Sequence, residues 1–253
     1  MNEDDALLIR RLTELADRAY DRGVYTFTGF LALNEQSVLQ GLRRALARTP
    51  CALHGGYDGA EHRMARFGDE ALCGYDQPFP IVCIRIRPRG ERFSDALTHR
   101  DFLGALMHIG VTRECIGDVV LDGNTAYAFC ADAVAPVVLS SLTRVKRTAV
   151  DCDAVDALPV AAAPALTPET VLLSSVRLDG VIARVFRLPR EESASLIRTG
   201  RVFLDGAACD SASAVPKAGC IVSVRGYGRF RMGEVTGESK KGKLRLTVER
   251  YDG

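Results

Sequence analysis

The sequence predicts an α+β protein: an N-terminal α/β segment, a middle domain, and a C-terminal domain in which two helices precede a small β-sheet. Three observations carry this reading. Residues 76–153 alternate strand-like and helix-like periods in the order βαββαβ. Residues 153–170 shift to proline and alanine. From Val176 onward, a 3.6-residue apolar period gives way to short β runs punctuated by glycine. At 253 residues the chain exceeds one typical domain.

Residues 1–75 open with a helix, because Leu7, Leu8, Leu12, Leu15 and Ala19 recur at helical spacing with Arg10, Arg11 and Arg18 outside them. Gly29-Phe30-Leu31 leads to a second helix that starts near Asn34 as N-cap and carries Val38, Leu42 and Leu46. After Pro50 a strand runs into Gly55-Gly56-Tyr57-Asp58-Gly59 and returns through Met64 to Phe67. The double glycine permits positive φ or close backbone approach. It lacks the glycine order of a nucleotide-binding loop.

In the middle domain, 81–86 reads as a strand and 94–109 as a helix. A hairpin over 116–121 and 125–130 turns at Asp122-Gly123-Asn124, followed by a helix over 131–142 and a strand over 144–152. This is the split-βαβ order of ferredoxin-like and RNA-recognition-motif-like folds. An RNA-recognition motif stacks bases on aromatics of its central strands. The first strand here offers none, and Tyr127 and Phe129 are expected in the core. His99-Arg100-Asp101 copies the start of a kinase catalytic loop, but Leu106 stands where that loop needs Asn. Residues 154–172 read as a linker.

The C-terminal domain, 173–253, is the most legible. Leu178, Val181, Ile182, Val185 and Phe186 form one helix face, and Arg177, Arg184 and Arg187 project within about 80° of one another on the other. Pro189 suits the first turn of a second helix, Leu196 and Ile197 give it an inner side, and Gly200 closes it. A strand from Arg201 to Leu204 then meets a tight Asp205-Gly206 turn. Candidate phosphate contacts are Arg177, Arg184, Arg187, Arg190, Arg198 and Arg201, then Arg225 and Arg229 beside two glycines of a basic strand, and Lys240, Lys241 and Lys243 at a hairpin tip. The net charge of +1 divides unevenly: residues 176–253 hold 15 Lys and Arg against 9 Asp and Glu, leaving −5 for the rest. Such asymmetry points to one nucleic-acid-facing region.

Other classes are excluded. No run approaches about 18 apolar residues, and the acidic N-terminus lacks a signal region, so the expectation is a cytoplasmic protein with no membrane partner. Eight cysteines without a CxxC pair read as buried, reduced thiols. The four histidines, His54, His62, His99 and His108, form no ligand motif, and no HExxH or GxSxG occurs. No metal, cofactor, small-molecule substrate or catalytic residue is expected.

Arg177-Leu178-Asp179, Arg190, Leu196-Ile197, Gly200, Val202 and Asp205-Gly206 resemble the S4 domain, which implies a helix pair laid on structured RNA. Glu191 and Glu192 depart from that pattern, in which basic or small residues are usual. Over nearly the whole chain, Gly29-Phe30-Leu31 with Glu35-Gln36, Gly55-Gly56-Tyr57 to Glu61-His62-Arg63, His99 to Met107, Arg113-Glu114 to Gly117-Asp118, and Arg225 to Phe230 resemble the bacterial YlmH family. The resemblance implies a ribosome-associated RNA-binding protein without catalytic activity, whose partners are ribosomal RNA, peptidyl-tRNA and the large subunit during rescue of stalled subunits. Two alternatives stay open: an RNA-modifying enzyme targeted by its S4 domain, and a scaffold linked to cell division.

Overall fold

The N-terminal apolar period folds as helix α1 (Glu3–Arg22), with Glu3, Asp4 and Asp5 in its first turn and Arg22 in its last, both favourable to the helix dipole. The structure, a computed structural model, describes residues 3–90, 97–159 and 166–251. The chain divides into two compact units, Met1–Ala163 and Pro164–Gly253.

In the first unit α1 buries Leu12, Ala16 and Ala19. It is followed by β1 (Thr26–Leu31), α2 (Leu33–Leu42), β2 (Cys51–His54), β3 (Arg63–Phe67) and the single turn α3 (Glu70–Cys73). The antiparallel sheet has the order β1-β3-β2. Helix α2 starts earlier than Asn34: Ala32 is its N-cap, and the Glu35 carboxylate accepts the Ala32 N–H at 2.7 Å. A carboxylate three residues into the helix replaces the side-chain cap.

The second sheet of this unit contains β4 (Ile81–Pro88), β5 (Ile116–Asp122), β6 (Thr125–Ala131), β7 (Arg144–Val145) and β8 (Thr148–Val155), with α4 (His99–His108) and α5 (Ala135–Ser141) between strands. Its order is β5-β6-β4-β8-β7, all antiparallel. The expected start of the helix over 94–109 falls partly outside the described residues; α4 itself begins after Thr98, whose N–H donates to Asp101 at 2.8 Å. The helix expected over 131–142 opens as a 3₁₀ turn, Asp132–Val134. The strand expected over 144–152 is two strands, because Lys146 turns the chain with φ 52°.

Helices α4 and α5 cover one face of this sheet through Phe102, Leu106 and Val138 against Ile84 and Ile86. The opposite face presents Cys83, Val120, Tyr127 and Phe129 to Phe30 and Met64 of the N-terminal sheet. The β2–β3 loop completes the cover, with the Tyr57 ring stacked on Phe129 at a centroid distance of 5.0 Å. Gly56 has φ 95°, and a Cβ there would lie 2.3 Å from the Phe129 ring, so only glycine lets the loop approach.

Asp118 holds that loop in place. Its carboxylate, 11% exposed, accepts the Tyr57 hydroxyl at 2.8 Å, the Glu61 N–H at 2.7 Å, the His62 N–H at 3.1 Å and His62 Nδ1 at 2.8 Å. Arg113, a pure donor, faces His62 Nε2 at 2.8 Å, which leaves the ring proton on Nδ1 toward Asp118. Burial pushes the Asp118 carboxyl up, but the hydrogen bonds from His62, Glu61 and Tyr57 outweigh it and hold the pKa at about 2.

The second unit comprises β9 (Leu166–Leu173), α6 (Leu178–Val185), α7 (Arg190–Arg198), β10 (Val202–Leu204), β11 (Ala207–Ala208), β12 (Ile221–Val224), β13 (Gly228–Glu238) and β14 (Leu244–Tyr251). Its antiparallel sheet has the order β11-β10-β12-β13-β14-β9. Strand β9 corrects the linker over 154–172 at both ends, since β8 runs to Val155 and β9 starts at Leu166. Residues 160–165 of that linker lie outside the described residues. Pro168 is accommodated because β9 is an edge strand paired with β14 alone, and Val171 and Leu173 point inward. All eight cysteines are free, and burial pushes Cys51 and Cys83 to about 11 and Cys130 to about 12, so these thiols are poor nucleophiles. Among the described residues no helix is long and apolar enough to cross a membrane.

Two predictions test this joint. The Asp118 pKa is depressed from 3.8, so its contribution, on the order of 2 kcal/mol, is complete above pH about 4 and is lost as pH falls toward about 2. Urea titrations at neutral and acid pH should show Asp118→Asn less stable than the parent near pH 7, with the gap closing at low pH. A Cβ at Gly117 would lie 2.6 Å from Phe30, whereas one at Gly104 meets nothing within 4 Å. Thermal unfolding should therefore show Gly117→Ala destabilised by about 1–3 kcal/mol and Gly104→Ala unchanged or stabilised by up to about 1 kcal/mol.

Candidate nucleic-acid interface

Helix α6 buries Leu178, Val181, Ile182 and Val185 against Leu196 and Ile197 of α7 and against Val222 and Phe230 of the sheet, as its apolar period requires. One polar residue goes in with them. Asp179 is 6% exposed, and its carboxylate accepts the Gly180 N–H at 2.8 Å and Arg190 Nε at 2.9 Å. The Ser193 hydroxyl donates to the Asp179 backbone oxygen at 2.9 Å and ties α7 to α6. Burial raises the Asp179 carboxyl, but the bonds from Arg190 and Gly180 prevail and hold it below the usual range.

The arginine row expected on one helix face is not continuous. Arg177 is the N-cap of α6 and lies 3.6 Å from Asp179, which neutralises much of its charge. Helix α6 ends at Val185 with Phe186 as C-cap, and Arg187 takes left-handed backbone, φ 55°. Helical geometry cannot be extrapolated past that cap. The turn nevertheless brings Arg184, Arg187 and Arg190 to one cleft of about 500 Å³ together with Lys243 from the β13–β14 hairpin. Its other walls are Leu172 and Leu173 at the end of β9, Ser174 and Ser175 after it, Gly180 and Ala183 of α6, and Leu188. Among the described residues Arg184, Arg187 and Lys243 have no carboxylate partner, whereas Arg190 is held by Asp179.

The other sequence candidates lie elsewhere. Lys240 and Lys241 are exposed at the hairpin tip and Arg198 in the last turn of α7, none of them lining the cleft. Arg201 donates to the Arg225 backbone oxygen at 2.7 Å. Arg225 sits over Phe203 at 5.7 Å and Arg229 over Tyr251 at 4.4 Å. Arg225 is in the turn between β12 and β13, not in a strand, because Gly226 and Gly228 have positive φ. Glu191 and Glu192 occupy the first turn of α7 and stay outside the cleft, with Glu192 accepting the Tyr227 hydroxyl at 2.7 Å. Of this cleft wall only Leu172 falls within the linker expected over 154–172, and the alternation of Val171 and Leu173 is the signal of the strand that carries it.

Comparison with known proteins places this geometry. A family profile described as "Putative RNA-binding domain in YlmH" matches residues 76–158, the segment containing the whole five-stranded sheet. Ribosome-associated protein quality control protein P2 of Bacillus subtilis (strain 168) is 32% identical over 225 residues, covering 88% of this chain and 86% of that protein. The chain belongs to the YlmH family. A solved structure, cell division protein ylmH from Streptococcus pneumoniae, is 18% identical and aligns over 61% of this chain and 93% of that one with a TM-score of 0.49. Glu114, Gly117 and Asp118, whose YlmH-like pattern the sequence displays, meet Gly29, Phe30 and the glycine loop in space: a Cβ at Gly29 would lie 2.7 Å from the Glu114 backbone oxygen.

The Asp179–Arg190 bond gives a direct check on how α7 is positioned. Asp179→Asn and Arg190→Gln should each lower Tm, and the double variant should fall by clearly less than the sum of the two. Additive losses in differential scanning calorimetry would show the two side chains to be energetically independent.

Proposed function

We propose that this protein binds structured RNA on the ribosome, ribosomal RNA and tRNA of the large subunit, by charge and shape at the Arg184–Arg187–Lys243 cleft, and that it catalyses no reaction. One observation carries the reading: three cations without carboxylate partners among the described residues converge on one open cleft, where a phosphate backbone can approach. The helix pair α6–α7, followed by the β10–β11 hairpin with Asp205 and Gly206 both at positive φ, supports reading this unit as an S4 domain. The order β5-β6-β4-β8, with two helices on one face, supports a ferredoxin-like reading of the middle domain. The name of the Bacillus subtilis relative supports a ribosomal, hence cytoplasmic, setting in protein quality control, and we place that role on stalled large subunits.

Salt dependence tests it. Each phosphate contact contributes about 0.7–0.9 to the slope of log affinity against log salt, so Arg184→Gln/Arg187→Gln/Lys243→Gln should reduce that slope by about 2–3 in binding to purified large subunits between about 50 and 200 mM salt. An unchanged slope would overturn the proposal.

A further inference from the structure

The family profile covers the five-stranded sheet but assigns no surface to RNA. The face on which an RNA-recognition motif would stack bases is occupied by this chain itself. Tyr127 is 6% and Phe129 1% exposed, Phe30 and Met64 pack over them, and Tyr57 stacks on Phe129. Beyond that apolar half, each arginine of the same face meets a carboxylate: Arg85 meets Asp153 at 2.6 Å, Arg87 the same Asp153 at 3.9 Å, and Arg89 Asp151 at 2.7 Å. Neither a stacking platform nor an open cationic track is left there.

The opposite, helical side differs. Between α4 and the segment 141–146 lies a cleft of about 610 Å³ bordered by Arg100, His108, Arg144 and Lys146. Its one carboxylate, Asp101, is already engaged. It accepts the Thr98 N–H at 2.8 Å and the Thr98 hydroxyl at 2.6 Å, and pairs with Lys146 at 2.7 Å. That pair steadies Lys146 in left-handed backbone at the β7–β8 turn, where Arg144 donates to the Arg147 backbone oxygen at 3.2 Å. Arg100 and Arg144 have no ion-pair partner among the described residues. The rest of the lining is Gly104, Ala105, Ile109, Ser141, Leu142 and Thr143, with no Phe or Tyr. Excess positive charge and absent aromatics suit a sugar-phosphate backbone and not an unstacked base. The His99-Arg100-Asp101 sequence thereby acquires a non-catalytic account. Asp101 caps α4 and fixes Lys146, Arg100 borders the cleft, and His99 lies close enough to Asp118, Arg113 and His62 to feel their charge.

We infer that the α4–β7 cleft is a second RNA-backbone site, in which Arg100, Arg144 and Lys146 contact phosphates of structured RNA. This rests on the proposed RNA-binding function, while using a different surface.

The test measures binding of the full chain to purified large ribosomal subunits as a function of salt. Arg100→Gln/Arg144→Gln should weaken binding and reduce the slope by about 1.4–1.8, and Arg100→Lys/Arg144→Lys should restore the slope. Should the Gln pair fold poorly, Lys146 of the unaltered protein provides the readout: its acylation by an amine-reactive reagent should drop when subunits are bound. An unchanged slope in the Gln pair, or unchanged Lys146 reactivity, with binding lost in Arg184→Gln/Arg187→Gln/Lys243→Gln, would overturn this site and leave the α6–α7 cleft standing as the RNA contact. Wild-type binding in both sets of variants would overturn both.

Discussion

A largely buried carboxylate, Asp118, decides which surfaces of the first unit face solvent. Four hydrogen bonds fold the β2–β3 loop onto it, and the loop carries Tyr57 onto Phe129. Such a group is costly to bury without partners and rigid once satisfied. Its position on β5 therefore fixes the cover over the sheet, and the cover removes the surface that a four-stranded RNA-binding sheet would ordinarily use.

The second unit repeats the device in another context. Asp179 is buried between α6 and α7 and takes up the charge of Arg190 and part of that of Arg177. Only the carboxylate is buried: the Arg190 side chain is 60% exposed, so the pair contributes little net stability and serves chiefly to satisfy Asp179. Here it sets the angle at which the α6–α7 turn presents Arg184 and Arg187, the cations left uncompensated. In the α4–β7 cleft, Asp101 stands in the same relation to Lys146. Each site is thus a cluster of cations with one carboxylate spent on positioning, which separates these clefts from the sheet surface where Arg85, Arg87 and Arg89 each meet Asp153 or Asp151.

Local periodicity carried the legible part of the fold. The βαββαβ order, the inner face of α6 and the turn at Asp205-Gly206 all follow from spacings of a few residues. What failed depended on distant partners or on the ends of elements. Strand β9 hid behind Pro168, which reads as a breaker until β14 makes it an edge position. By spacing Arg187 continues the helical row, and nothing local announces the left-handed residue after Phe186. Lys146 and Arg147 turn inside what reads as one strand. Asp118 was visible as part of a pattern, but its partners Tyr57 and His62 lie 61 and 56 residues away, so its role could not be read from spacing. Within the candidate site the residue types were legible from charge, while the division into compensated and uncompensated cations required the positions of Asp179 and Lys243.

The most direct measurement is ultraviolet cross-linking of the full chain on purified large ribosomal subunits, with the linked peptides identified by mass spectrometry. The account predicts RNA adducts on peptides spanning Leu172 to Arg190 and on the peptide containing Lys243. Adducts confined to the peptide carrying Tyr127 and Phe129 would contradict it.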